Sequence, residues 1–333
     1  MKSSITYSLL LAAAACGVAL GQTTAYTTPV GYTTQALAQG YNAVGLTLQK
    51  APVASGAFET VNGTTLTDSD TTFAPVAGRT YVLEVTSGTA VGNIQEVLAE
   101  NISGSVITTP QAVGMAVGDT YNLRIAPTLE EIFTTTVLAS GGVLYAALNS
   151  TSADVVWVPT GTGSYDKYYL KSGATPAFYK FGSTTLTAPN VPVVYTDGLF
   201  VQKKTVTASS LTVSGEVKKV GSNTVMVQGY NLVSPVAPVG LNLFNSGLAT
   251  SMVASLSATN ADILWVQKAD LTYNKYFRHS TAPGNWRNVS APTVNMTQSE
   301  AEAVAMTSAV LIQHKANTTV AVKFAAPSGY SSL

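Results

Sequence analysis

The chain has 333 residues, with 17 Lys and Arg against 17 Asp and Glu, and charged side chains make up only 10% of it, well below the roughly 25% of an ordinary globular domain. No lysine run or basic patch exists, which argues against nucleic-acid binding, an affinity built on phosphate neutralisation. Thr, Ser, Ala, Val and Gly take the place of charge, and such a neutral surface offers little repulsion between neighbouring copies.

The first 21 residues read as an export signal. Lys2 supplies the positive start, Ile5 to Leu20 is apolar and uncharged, and Ala19-Leu20-Gly21 is a small-x-small cleavage site before Gln22. The lone cysteine, Cys16, lies inside this leader behind Ala13-Ala14-Ala15 rather than a lipidation triplet, so the exported chain is expected to hold no disulfide and no thiolate metal site. No integral membrane span is expected after signal removal, and the predicted location is extracellular, cell-surface or periplasmic.

Gln22 to Thr28 is a Thr-rich lead-in. From Pro29, short runs of Val, Thr, Tyr and Ile alternate with polar residues and are cut by Gly, Pro, Asn or Asp, the pattern of half-buried strands. Asn62-Gly63 and Ser87-Gly88 are tight-turn signals. Residues 22–133 are expected to form a small β-barrel or sandwich. Thr128-Leu-Glu-Glu131 has the form of a capping box and predicts one helical turn to Phe133, taken as the boundary of this region.

Residues 134–204 carry a segment that returns later. Ala153 to Tyr169 recurs as Ala261 to Phe277, 108 residues on and without a gap, with Ala153, Asp154, Trp157, Val158, Tyr165, Lys167 and Tyr168 identical in the second copy. A repeat of this length marks a unit used twice. Each copy reads as an antiparallel meander: an apolar strand, a turn, a return strand, and a third strand at Phe178 or Trp286. Residues 205–333 repeat the plan. Tyr230-Asn-Leu stands before the second copy as Tyr121-Asn-Leu stands before the first, and Val310 to Lys315 resembles Leu199 to Lys204. A second capping box, Thr297-Gln-Ser-Glu300, precedes a helix expected over Ala301 to Met306. The predicted fold class is therefore all-β: an N-terminal barrel or sandwich followed by two repeated, sandwich-like meander units.

Several phrases, in order along the chain, resemble a family of exported β proteins of Verrucomicrobia and related bacteria. They are Pro29-Val-Gly-Tyr32, Tyr81-Val-Leu-Glu-Val-Thr-Ser-Gly88, Gly118-Asp119, Ile125 to Phe133, and Ala153 to Tyr169. That family has no assigned function, so the resemblance implies export and a β fold and supplies no catalytic residues.

Residues that carry chemistry are sparse. Only His279 and His314 are histidines, no His-Glu-x-x-His or Cys-x-x-Cys occurs, and no Gly-x-Ser-x-Gly is present. Both histidines fall where the first copy has lysine, which predicts solvated strand ends. Asp68-Ser-Asp70 does not complete a calcium loop and reads as a polar turn. Gly161-Thr-Gly163 lies between strands and reads as a hairpin turn rather than a phosphate site. Asp154 and Asp262 are expected to cap strand starts, and Glu130-Glu131 to be capping charges. No catalytic residue, metal or cofactor is implied.

The aromatics are the remaining candidates. Trp157, Tyr165, Tyr168, Trp265, Tyr273 and Tyr276 would bind a sugar ring if exposed in a row. The competing expectation is that a Trp inside Val-Val-Trp-Val fills the sandwich core. Strand alternation separates Tyr165, Lys167 and Tyr169 from Asp166 and Tyr168. The leading functional expectation is an exported, non-catalytic structural or cell-surface protein that self-associates; the alternative is a carbohydrate-binding or adhesin module with a surface glycan as partner. An outer-membrane barrel is disfavoured by short, Pro-interrupted strands. An enzyme would need Asp, His and a hydroxyl converging in a cleft.

Overall fold

Runs rich in Val, Thr and aromatic residues between Gly and Pro form strands along the whole computed structural model, which describes residues 29–160, 163–183, 185, 187–281 and 286–330. The export signal, the cleavage site and Cys16 lie outside the described residues, as do Gly161 and Thr162 of the expected hairpin turn. In chain order come β1 (Val30–Leu37) and β2 (Gly40–Gly45), then eight short strands: β3 (Ala54–Ala57), β4 (Thr60–Asn62), β5 (Thr65–Thr67), β6 (Thr80–Val85), β7 (Ile94–Leu98), β8 (Ile102–Ser103), β9 (Val106–Thr108) and β10 (Thr120–Ile125). Helix α1 (Leu129–Phe133) follows, with β11 (Val155–Pro159), β12 (Tyr165–Lys171), β13 (Ala177–Lys180), β14 (Gly198–Lys203) and β15 (Ser209–Glu216). The last group is β16 (Ser222–Met226), β17 (Gly229–Val233), β18 (Ile263–Gln267), β19 (Tyr273–Arg278), β20 (Trp286–Asn288), α2 (Gln298–Glu302), β21 (Val310–His314) and β22 (Val320–Phe324).

Strand pairing groups these elements differently from the expected boundaries at 133 and 204. β2 joins a five-stranded antiparallel sheet in the order β13-β12-β11-β14-β2, and β1 pairs along its full length with β15. The second copy has the same plan: β20-β19-β18-β21-β17 and a β16-β22 ribbon. Each repeat is thus seven strands, a two-stranded ribbon over a five-stranded sheet. We call them unit A (residues 30–49 and 127–216) and unit B (residues 222–324). Residues 50–126 are an insert between β2 and β11 of unit A.

The upstream match of the repeat also moves. The partner of Tyr230-Asn-Leu is not Tyr121-Asn-Leu, which lies in the insert, but Tyr41-Asn-Ala on the equivalent edge strand. Gln39-Gly-Tyr-Asn42 and Gln228-Gly-Tyr-Asn231 are identical, and the bonds are too. Asn42 donates to the carbonyls of Ala38, Gly40 and Val201, and accepts from the Ala38 N–H. Asn231 does the same with Val227, Gly229 and Ile312, and accepts from the Val227 N–H. The glycines before them have φ of 115° and 106°, a region closed to side chains with a Cβ.

Each unit buries its alternate residues. Val156, Val158, Leu170, Phe178, Leu199 and Val201 fill the core of unit A beneath Leu37 and Leu211 of the ribbon. Leu264, Tyr276, Trp286, Val310 and Ile312 fill that of unit B beneath Met226, Val322 and Phe324. Each such side chain contributes roughly 1.5–3 kcal/mol of burial. The insert has its own core, where two four-stranded sheets (β3-β10-β6-β7 and β4-β5-β9-β8) enclose Phe58, Leu66, Leu83, Val97, Ile107 and Tyr121. The sheets do not close, so of the two forms expected here the sandwich-like one holds and the barrel does not. Where the insert rejoins the chain, buried Arg124 bonds Glu84 at 2.6 Å and lies 3.6 Å from Glu216, and Lys218 pairs with Glu84 as well.

Both capping boxes form. The Glu131 carboxylate accepts the Thr128 N–H and bonds Lys50 and Arg79; against the upward push of burial, these partners hold its pKa at about 2. The second helix is Gln298–Glu302, not Ala301 to Met306: Ala303 caps it and Met306 turns into the core of unit B.

Candidate functional site

The outer faces of the two five-stranded sheets carry the candidate aromatics. Alternation places Trp157 opposite Val156 and Val158, so it stands on the face away from the sandwich core, directly beside Lys167 and Phe200 on neighbouring strands. Trp265 stands likewise beside Lys275 and Leu311. The expectation that these tryptophans fill the sandwich cores is therefore corrected; Phe178 and Trp286 do that instead. Both indoles are half-buried.

The surroundings of the two indoles match. The Lys167 ammonium lies 3.9 Å from the Trp157 ring centre, and Lys275 lies 3.8 Å from that of Trp265. Tyr41 and Tyr165 meet Trp157 edge to face at 5.8 and 6.3 Å; Tyr230 and Tyr273 meet Trp265 at 5.8 and 5.9 Å. Burial raises the pKa of Tyr165 and of Tyr273. Both indole Nε1 atoms are buried with no hydrogen-bond partner among the described residues. Tyr168 and Tyr276 do not join these clusters: they lie on the opposite face, against the unit A and unit B cores. Four of the six candidates thus gather as two pairs, Trp157 with Tyr165 and Trp265 with Tyr273. Lys167, Lys275, Tyr41 and Tyr230 complete them. The Gln-Gly-Tyr-Asn repeat was the signal for both tyrosines, at 45% and 47% exposure the most open members.

The same two faces meet each other. Ala43, Tyr165 and Phe200 of unit A pack with Leu232, Ala309 and Leu311 of unit B. Small residues let the sheets approach: a Cβ on Gly198 would lie 2.6 Å from Leu232 Cγ and 2.7 Å from Ala309 Cβ, and one on Gly45 would lie 2.6 Å from Ser234 Oγ. Ala43 and Leu232, Phe200 and Leu311, Gly198 and Ala309, and Gly45 and Ser234 are equivalent positions of the repeat. The contact is therefore nearly two-fold symmetric. Gln267 seals the open edge of β2, accepting the Ala43 N–H and donating to the Tyr41 carbonyl. Ser308 does the same at the Gly45 N–H and the Ala43 carbonyl.

The buried ionisable residues form a second constellation. Asp154 accepts the N–H groups of Tyr145 and Lys204 and pairs with Lys203 at 2.7 Å. Asp262 accepts those of Val253 and Lys315 and meets His314 Nδ1 at 3.0 Å. Both aspartates stand just before β11 and β18, but instead of capping those strands as expected they bond a preceding loop and the residue that follows β14 or β21. His314, however, is not at a solvated strand end: it is 1% exposed, and its Nε2 faces the exposed Thr318 hydroxyl at 3.2 Å. His279 is buried too, because the Ser255 segment runs alongside it; its Nδ1 lies 2.7 Å from Thr281 Oγ1. Aspartate, imidazole and hydroxyl do converge at His314. In unit A the equivalent carboxylate makes the equivalent backbone bonds, and Lys203 stands where His314 does.

Asp68 accepts the Asp70 N–H and the hydroxyls of Thr71 and Tyr121, the last at 2.6 Å, so its oxygens are spent on a turn and a core tyrosine. No group of three or more metal-ligating side chains is present among the described residues. Nor is any helix there long and apolar enough to cross a membrane. Comparison with protein-family models, with curated proteins and with solved structures finds no match.

Proposed function

We propose that this chain is an exported, non-catalytic structural or cell-surface protein whose repeated β units serve packing and self-association. One observation carries this reading. The groups that would bind a sugar or run a reaction are bonded into the fold in both repeats. A lysine covers each indole, a tyrosine edge meets it, and each buried aspartate ties two backbone segments together. The low charge and the resemblance to exported β proteins of Verrucomicrobia support the same reading. The test is mass determination and negative-stain microscopy on residues 22–333 at rising concentration. Dimers, rings, sheets or filaments are expected; a monomer at every concentration would sink self-association.

A carbohydrate-binding or adhesin role is the second reading, favoured by the half-exposed Tyr41 and Tyr230 at equivalent positions beside Trp157 and Trp265. A glycan would have to displace Lys167 or Lys275 to stack on indole. Glycan-array binding abolished by Trp157→Ala with Trp265→Ala would support it. An enzymatic reading would require Thr318 to react with a fluorophosphonate probe in a His314-dependent way, and we expect no labelling.

A further inference from the structure

The ribbons of the two units differ at their edges. In unit B both edges carry hydrogen bonds from other segments. The Asn223 N–H of β16 donates to Gly92 O at 2.8 Å, and the Asn223 amide bonds Val91 O, so a turn of the insert sits against that edge. On the β22 side, the Lys323 N–H donates to Ser251 Oγ and the Ala325 N–H to Ser246 O. In unit A, β15 exchanges two backbone bonds with Gln49 at Glu216. Strand β1, the counterpart of β16, pairs with β15 on one side only, and along its other edge no protein group bonds its backbone among the described residues.

β1 also lacks the features that keep edges apart. It runs eight residues, Val-Gly-Tyr-Thr-Thr-Gln-Ala-Leu, with no charge, proline or bulge. Val30 and Tyr32 stand 74% and 77% exposed on its outer face. Unprotected edges of this kind template pairing with another strand.

We infer that β1 is the self-association edge, pairing antiparallel with β1 of a second copy to make a continuous β15-β1-β1-β15 sheet. The inference rests on the self-association reading above and gives it a surface. A second copy suits this edge better than other strands because antiparallel self-pairing is isologous, each strand meeting its own complement. An uncharged strand brings no like-charge repulsion to that meeting. Side chains directly opposite must share a face, which allows a register centred on Thr33. Tyr32 then meets Thr34, Gly31 meets Gln35 and Val30 meets Ala36 of the other copy. A single strand pair falls short of the roughly 1,000 Å² of a stable interface, so the dimer should be concentration-dependent.

The test compares residues 22–333 with the variant Tyr32→Lys/Thr34→Lys, in sedimentation equilibrium and amide exchange. Both positions are exposed, and Val225→Lys on the matching ribbon of unit B is the control. The parent chain should dimerise with concentration while the β1 amides slow their exchange; the double variant should stay monomeric over the same range, and the control should dimerise normally. If the parent assembles but the double variant assembles equally, or the β1 amides gain no protection, the edge is wrong and self-association stands. If the parent stays monomeric throughout, both fail. Should the double variant not fold, exchange on the parent chain decides alone.

Discussion

Units A and B are one fold with different side-chain partners for the same buried aspartate. In both, the aspartate before the central strand of the five-stranded sheet accepts two backbone N–H groups. In unit A its side-chain partner is Lys203, in unit B His314. The backbone bonds are constant and the side-chain partner is exchangeable, so the aspartate fastens strands in both units. That is why an Asp–His–Thr convergence in unit B does not by itself argue for catalysis.

Removing each carboxylate should separate the two units most. Asp154→Asn strands the fully buried Lys203 ammonium without a counter-charge and should cost about 3–5 kcal/mol. Asp262→Asn should cost less, about 1–3 kcal/mol, because imidazole is readily neutral where lysine is not. Urea unfolding of the two variants checks this; equal losses would mean that the identity of the side-chain partner is irrelevant.

Next in size is the contact between units. Gly198→Ala places a methyl against Leu232 and Ala309 and should cost about 1–3 kcal/mol, with a changed Trp environment in fluorescence. The equivalent position in unit B is already Ala309, so Ala309→Gly should be far milder. A Gly198→Ala protein as stable as the parent would contradict the close approach of the sheets.

Asp197 offers a pH-dependent probe at the same seam, where it forms a bridge to Val233. Burial, aided by the negative charge of Glu96, raises its pKa from 3.8 to about 7. A carboxylate with a raised folded pKa binds more protons folded than unfolded, so its effect on stability worsens as pH rises from about 4 to about 7. The counterpart position in unit B is Ser308, which has no such charge. Asp197→Asn should flatten this part of the stability-versus-pH curve, and an unchanged curve would overturn the assignment. The smallest effect expected is that of Lys167→Ala or Lys275→Ala, about 0.5–1 kcal/mol each, equal in the two units and read by thermal unfolding.

How far this was legible in sequence differs by residue. The meander at Ala153 to Tyr169 and its second copy, both capping boxes and the Asp68 turn could be read directly. The hairpins, boxes and turn depend on neighbours within a few residues, where alternation and side chain-to-backbone bonding are local; the bonds of Asp154 to Lys204 and of Asp262 to Lys315 reach across the fold and were not readable. The partner of Tyr230 could not be read from the 108-residue offset, because the insert lies between Tyr41 and the rest of its sheet. The four-residue identity Gln-Gly-Tyr-Asn carried that information, but at another spacing.

An all-β chain with a repeated unit follows from the order of residues, since strand periodicity and self-similarity are written residue by residue. Tertiary structure alone decided that β1 and β2 close the first repeat across an insert. It also decided which face of each sheet became core, that lysines cover the tryptophans, and that His314 lies buried against Asp262. Those outcomes depend on long-range pairing, where loop closure can join any compatible edge and a strand pattern apolar on both faces does not say which side will meet the ribbon.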